Sequence, residues 1–168
     1  VLGNNVNTAT GVLTISSGTA TITAGSTTAT DARSFIALGR DNANGIINLD
    51  GGTLETGRRF VRDGSSGGTA GSGTANFYFN GGTLKALADQ TSGNGWFETA
   101  TTGNYRVVTT TVKSGGAKID TNGFSTNINT VLAHDSSLGG TPDGGLTKSG
   151  SGTLTLGAAN TYTGKTTV

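Results

Sequence analysis

The sequence has 168 residues, of which 30 are glycine and one is proline, and it has no cysteine. This length fits one domain, and the lack of cysteine excludes a disulfide framework and thiolate metal sites. The formal net charge of +1 provides no general attraction to nucleic acid or acidic membranes, and no apolar run reaches transmembrane length. We therefore expect no nucleic-acid partner, no membrane insertion of this segment and no cofactor.

Strand-like segments alternate with glycine-containing turns along the chain. Each contains β-branched or aromatic residues that alternate with small polar ones, which is typical of a strand with one buried face. In chain order these segments are 12–15, 19–22, 34–39, 46–49, 53–55, 58–62, 76–79, 83–87, 105–112, 117–120, 126–132, 146–148 and 153–156. No window shows helical periodicity with a cap, so the sequence predicts an all-β fold with no significant α-helix.

One turn recurs at nearly constant spacing. A glycine that precedes Thr or Ala is found at Gly18, Gly52, Gly82, Gly116 and Gly152, so the spacings are 34, 30, 34 and 36 residues. Strand-like runs precede these glycines at 12–15, 46–49, 76–79, 109–112 and 146–148. Such a spacing indicates stacked structural repeats.

Two architectures bury strands of this kind, an antiparallel β-sandwich and a β-solenoid. The repeated turn chemistry favours the solenoid, in which each glycine lies about 4.8 Å from the glycine of the next coil. A glycine-rich sandwich is the alternative. We interpret residues 1–168 as a single β-solenoid domain with inserted loops near 63–74, 88–104 and 133–144.

The alignment on glycines predicts which residues share a position in successive coils. The inward pairs are Ile47 with Phe77 and Leu49 with Phe79, and the outward pair is Asn48 with Tyr78. Glu55 and Lys85 share the offset of three residues, which predicts an ion pair between coils on the surface. Asp50, Asn80 and Ser114 are predicted to share a corner.

Arginines are concentrated in one part of the chain. Arg58, Arg59 and Arg62, with Arg33 and Arg40, form a basic cluster that suits an anionic polysaccharide. β-Helical lyases with such a cluster also need grouped acidic ligands for Ca²⁺. The aspartates here are scattered, so a solvated face with pairing between coils is the alternative interpretation.

Two further groups are candidate sites. Trp96, Phe97 and Tyr105 would form either a sugar-stacking platform in an inserted loop or a flap that covers the core. His134 is the only histidine and is followed by Asp135. A catalytic triad or a metal site needs convergent partners, and none is indicated. We therefore expect a structural or solvated loop histidine, with no catalytic or metal-binding residue.

The tail GGLTKSGSGTLTLGAANTYTGKTTV closely resembles the autotransporter-associated β-strand repeat, also called the passenger-associated transport repeat. The stretch GGAKIDTNGFSTNI resembles the segment that often precedes that repeat. The resemblance implies a right-handed parallel β-helix, exported to or beyond the outer membrane of a Gram-negative-type bacterium, within a longer passenger.

These features predict a non-enzymatic extracellular module, a β-helical stalk or fibre subunit of a bacterial surface protein that self-associates head to tail into filaments, supports adhesion, or does both. The chain begins at Val1 and ends on a strand-like segment, so we expect a processed or excised part of a longer chain. Thr166, Thr167 and Val168 form a candidate end-pairing strand for a second copy, stacked head to tail, or for further repeats of the parent. The alternative is a carbohydrate-binding or polysaccharide-cleaving β-helix that uses the basic cluster with Trp96 and Phe97, and glycans are the corresponding partners.

Overall fold

The computed structural model describes residues 2, 9–23, 35–64, 71–91 and 93–168. The predicted polar segment 25–34, with Arg33, lies outside the described residues. The described chain forms sixteen strands and a short 3₁₀ helix at Ser136–Leu138, with no α-helix. The strands are β1 (Thr10–Ile15), β2 (Thr19–Ile22), β3 (Phe35–Arg40), β4 (Asn44–Leu49), β5 (Thr53–Thr56), β6 (Arg59–Asp63), β7 (Ala75–Phe79), β8 (Thr83–Ala86), β9 (Tyr105–Arg106), β10 (Thr109–Val112), β11 (Ala117–Asp120), β12 (Thr126–Ile128), β13 (Leu132–His134), β14 (Leu146–Ser149), β15 (Leu154–Leu156) and β16 (Thr166–Thr167).

Two long parallel sheets define the architecture. The first face is the five-stranded sheet β1-β4-β7-β10-β13, and the second face is the six-stranded sheet β2-β5-β8-β11-β14-β16. Every strand pair within these two faces is parallel. Each coil adds one strand to each face, so the chain is a parallel β-solenoid, and the antiparallel sandwich is excluded.

The third face is made of two separate sheets. One contains β3, β6 and β9, and the other contains β12 and β15. The insert, residues 88–104, joins them: Phe97 pairs in parallel with Phe60 of β6, and Gly95 pairs antiparallel with Ile128 of β12. The insert therefore takes the place of a regular third-face strand in the middle of the solenoid.

The period-two pattern of the strands directs every second side chain into the core. Ile47 pairs with Phe77 and Leu49 with Phe79, and all four side chains are fully buried. The predicted inward pairs are confirmed, and the full burial of each such side chain is worth about 1.5–3 kcal/mol. Phe77 is at the centre of an aromatic cluster, with its ring centroid 5.1 Å from Phe60, 4.6 Å from Phe79 and 5.2 Å from Phe97.

The glycine corner is confirmed for the first three coils, because Thr19 pairs with Thr53 and Thr53 with Thr83. Gly52 has a φ of +60°, and a Cβ atom there would lie 2.5 Å from the Gly18 carbonyl oxygen of the preceding coil. Only glycine combines this backbone conformation with so close an approach.

The predicted alignment of Gly116 with Gly82 is wrong by one residue. Val112 pairs with Phe79, but Lys118 pairs with Thr83, so the turn in the later coil is two residues longer. Compared with the alignment on glycines, the partner of Phe79 lies one residue earlier in the chain and the partner of Thr83 lies one residue later. Ser114 is therefore not above Asn80, whose side-chain oxygen instead accepts from the Gly115 N–H at 3.0 Å.

The predicted role of Gly152 is also wrong. The alignment places residues 146–148 on the first face, but β14 pairs with β11 and belongs to the second. The first-face strand of this coil is β13, which pairs with β10. The alternating pattern of residues 146–148 would suit a strand on either face. The loop between β13 and β14 hides from the sequence that β13 is the first-face strand of this coil.

Candidate functional site

Two arginines of the basic cluster make internal contacts. The Arg59 guanidinium lies 2.9 Å from the Glu98 carboxylate and 4.9 Å from the ring centroid of Tyr105. The Arg58 Nε donates to the Thr23 carbonyl oxygen at 3.1 Å. Both arginines and Tyr105 are partly exposed. A role for these three residues in ligand binding stays a prediction.

Arg62 does not face solvent. Its side chain is in the buried part of β6, where Nη1 donates to the carbonyl oxygens of Asp41 and Gly71, each at 3.0 Å. Burial lowers the pKa of Arg62, and the nearby charge of Arg106 adds to the effect. Arg62 therefore fastens two neighbouring turns, and a ligand could contact its guanidinium only if those turns separated.

The aromatic residues of the insert face the core. Trp96 and Phe97 are fully buried, and Phe97 stacks on Phe60 with the ring centroids 5.1 Å apart. A sugar ring has no access to these two side chains, so an exposed stacking platform cannot include them. Their position agrees with the alternative interpretation, a flap that covers the core.

Glu98 holds the insert in place. Its side chain is 3% exposed, and its carboxylate accepts from the backbone N–H groups of Thr99 and Ala100, each at 2.9 Å, and from the Asn94 side chain. Together with the ion pair to Arg59, these bonds satisfy a carboxylate that would otherwise be costly to bury.

A polar cluster surrounds Asp143, a residue that no sequence motif indicated. We call it the Asp143 clasp. The Asp143 carboxylate accepts from the backbone N–H groups of Gly145 at 2.9 Å, Thr163 at 2.9 Å and Gly164 at 3.0 Å, and lies 2.8 Å from His134 Nδ1. An aspartate between proline and glycine is typical of an ordinary loop, so the sequence carried no signal for this site.

The clasp has distinctive electrostatics. Burial raises the pKa of Asp143, but the bonds from Thr163, His134, Gly164 and Gly145 outweigh this effect and lower it to about 2. The bond to Asp143 raises the pKa of His134. Opposite charges on the two groups are therefore favoured in the folded protein.

The clasp lacks the arrangement of a nucleophilic site. Asp143 Oδ2 and Thr163 Oγ1 both contact the same ring nitrogen, His134 Nδ1, at 2.8 and 3.2 Å. His134 Nε2 is near the Gly139 carbonyl oxygen at 3.3 Å. In a catalytic triad the carboxylate and the hydroxyl lie at opposite nitrogens of the ring. The geometry is that of a structural cluster that joins the loop 135–145 to the last coil.

Neither a grouped metal-ligand set nor a membrane-spanning helix is found in the described ranges. Among the residues that the structure describes, no three His, Cys, Asp or Glu side chains are grouped so that they could hold a metal ion. The same part of the chain has no helix with the length and hydropathy needed to cross a bilayer.

The C-terminal strand is at the edge of the second face. Thr166 and Thr167 form β16, which pairs with residues 146–147 of β14. Within the described residues β16 has a strand on one side only. Val168 is 91% exposed. Pairing of this edge with another chain stays a prediction.

Comparison with known families identifies the same part of the chain. Residues 146–168 match the family model described as the passenger-associated-transport-repeat, which confirms the resemblance of the tail. These residues form β14, β15 and β16. No curated protein and no solved structure matches the chain.

Proposed function

We propose that this chain is a non-enzymatic structural module, a β-helical stalk or fibre segment of a bacterial surface protein. The observation that carries the proposal is the position of the matched repeat in the solenoid. β14 pairs in parallel with β11 on one side and with β16 on the other, so the matched repeat continues the second face without a break. Coils joined in this way lengthen a rod without altering its cross-section.

The family description supports a surface or extracellular location, because passengers are the exported parts of bacterial surface proteins. Protease treatment of intact cells tests this proposal in the parent protein. A cleavage site placed at Gly139–Gly140, an exposed glycine pair where an added Cβ atom would meet no heavy atom within 4 Å, should be cut on whole cells. Cleavage only after lysis would contradict a surface location.

We further propose that copies associate head to tail, with β16 as the edge that receives the next coil. Leu154, Leu156 and Tyr162 are only partly buried at this end of the core, so a further coil would cover apolar surface as well as extend the ladder. This geometry is heterologous, and repeated association of that kind gives a filament.

Light scattering and negative-stain imaging over a range of concentrations test this association. Leu156→Asp should weaken it, because the substitution places a charge at the partly exposed end of the core. Thr109→Asp, at an exposed position of β10 away from the edge strands, is the matched control and should leave assembly unchanged. Monomers alone at every concentration of the unaltered chain would remove the proposal of association and leave the structural module.

A further inference from the structure

The first face carries no charged side chain at its outward positions. The residues at those positions are Thr, Val, Asn, Ile, Tyr and Ala. The second face differs, because Glu55, Lys85, Lys118 and Asp120 occupy its outward positions. The two faces have the same backbone ladder, so the difference lies in what their side chains can contact.

Tyr78 is at the centre of the first face. Its neighbours in register are Asn48 on one strand and Thr111 on the other. The Lys113 ammonium lies 5.0 Å from the centroid of the Tyr78 ring and 3.5 Å from the Asp135 carboxylate. Lys113 therefore holds the Tyr78 ring in place, and the Asp135 carboxylate neutralises the charge of Lys113. Because the ring is already held, Tyr78 loses less side-chain entropy when a ligand binds.

The size of the face limits what can bind there. Five strands about 4.8 Å apart span about 19 Å, and six residues of a strand span about 20 Å, so the face offers on the order of 400 Å². A stable protein interface needs about 800 Å² from each partner. A second copy of the solenoid is therefore too weakly held by this face alone, and a slender ligand fits better.

The chemistry of the face narrows the ligand further. The backbone donors and acceptors of the central strands are used in the parallel ladder, so a peptide could not bind here by strand addition. The outward side chains supply an aromatic ring, a few aliphatic groups such as Val12, hydroxyl groups and side-chain amides, which both donate and accept. The Asn48 amide is oriented by donation to Thr14 Oγ1 at 3.2 Å. Hydroxyl-rich, uncharged chains are the ligands that match this set.

We propose that the first face binds an uncharged polysaccharide, with Tyr78 packed against a sugar ring and Asn48 and Thr111 hydrogen-bonded to its hydroxyl groups. This site is distinct from the region of Arg58, Arg59 and Tyr105, which is the candidate surface for an anionic chain. The binding surface extends along the rod, so each added coil that preserves the uncharged face lengthens it.

Titration calorimetry with dextran, hydroxyethyl cellulose and polygalacturonate tests the proposal. The unaltered chain should bind at least one of the two uncharged polymers more tightly than the acidic polymer. Tyr78→Ala should weaken that binding about tenfold, as expected for loss of an aromatic contact worth roughly 1.4 kcal/mol. Tyr78→Phe, which keeps the ring, should retain most of the affinity.

Two charge variants form a matched pair. Thr111→Lys removes a hydroxyl group proposed to bond the ligand and puts a long side chain next to Tyr78, so it should reduce binding about as much as Tyr78→Ala, whereas Thr147→Lys on the second face should have no effect. Circular dichroism checks that each variant is folded, and Thr111→Lys keeps the test decisive if Tyr78→Ala unfolds. The proposal is overturned if neither uncharged polymer binds, if Tyr78→Ala and Thr111→Lys both bind normally, or if Arg58→Ala with Arg59→Ala abolishes binding instead.

Discussion

The central coils and the last coil have the same parallel ladders but different interiors. In the centre, Phe60, Phe77 and Phe97 are fully buried and contact one another. In the last coil, Leu154 and Tyr162 are only partly buried, and the coil is held to the loop 135–145 by the Asp143 clasp. The ladder therefore sets the geometry of every coil, while the local stability comes from apolar packing in one region and polar bonds in the other.

Removal of a central ring should have the largest effect. Phe77→Ala deletes the ring that touches Phe60, Phe79 and Phe97, and a cavity of that kind costs about 3–5 kcal/mol. Urea unfolding followed by circular dichroism measures the loss. Asn76→Ala, the adjacent outward position, is the control and should change the unfolding free energy little. Equal losses for both variants would show that the aromatic cluster does not dominate.

Loss of the clasp should have a smaller and more local effect. Asp143→Ala leaves the N–H groups of Gly145, Thr163 and Gly164 without their acceptor, at a cost of about 2–3 kcal/mol. Hydrogen exchange should show faster exchange at residues 163–167 and unchanged protection in the central coils. Ser136→Ala, at an exposed position in the same loop but outside the clasp, is the control. Uniform loss of protection along the chain would mean that the coils unfold as one unit.

The clasp should also give the last coil a pH dependence that the aromatic core lacks. Because the pKa of Asp143 is lowered from 3.8 to about 2, its contribution is present above about pH 4 and is lost as the pH falls through 2. The pKa of His134 is raised above 6.5, so its contribution is full below pH 6.5 and is lost as the pH rises through the raised value. Protection of residues 163–167 should therefore be greatest between these limits.

The single histidine makes this pH dependence directly measurable. An NMR titration of the His134 ring should give a pKa above 6.5, and Asp143→Asn should bring it back toward that ordinary value. Asp135 also contributes to the raised pKa of His134 through its charge, but less than Asp143 does, so Asp135→Asn should produce the smaller change. A His134 pKa that is the same in Asp143→Asn as in the unaltered chain would contradict the clasp.

The surface ion pair between coils should have the smallest effect. The Lys85 ammonium lies 2.9 Å from the Glu55 carboxylate, which confirms the predicted pair. Pairs that remain in contact with solvent contribute little and are screened by salt. A double-mutant cycle with Glu55→Gln and Lys85→Gln should give a coupling energy near the limit of measurement. A coupling as large as the loss from Asp143→Ala would mean that this surface pair stabilises the solenoid as much as the clasp does.

The repeat could be aligned from the sequence where coils have equal turns. Asp50-Gly51-Gly52 and Asn80-Gly81-Gly82 have the same length, so the pairs Ile47–Phe77 and Glu55–Lys85 were predicted correctly. The alignment failed at Gly116 and Gly152, because a longer turn and an inserted loop change the spacing without changing the alternating pattern. Only the ladder of hydrogen bonds shows which face such a strand joins.

The candidate site was harder to predict than the fold. The Asp143 clasp brings together residues 134, 143 and 163, whose separations of 9 and 20 residues match no motif. The burial of Trp96 was equally hidden, since an aromatic residue in a glycine-rich insert has the same local sequence whether it faces solvent or the core. The first face shows its uncharged character only when five strands are placed side by side.

The division of the third face has a mechanical consequence. Two ladders extend along the whole rod, but the third changes from one sheet to another at the insert, where Phe97 and Gly95 bridge the gap. Tension along the axis would then be shared by three rows of bonds near each end and by two rows plus a few bridges in the middle. In a single-molecule pulling experiment, we therefore expect the first rupture at this junction.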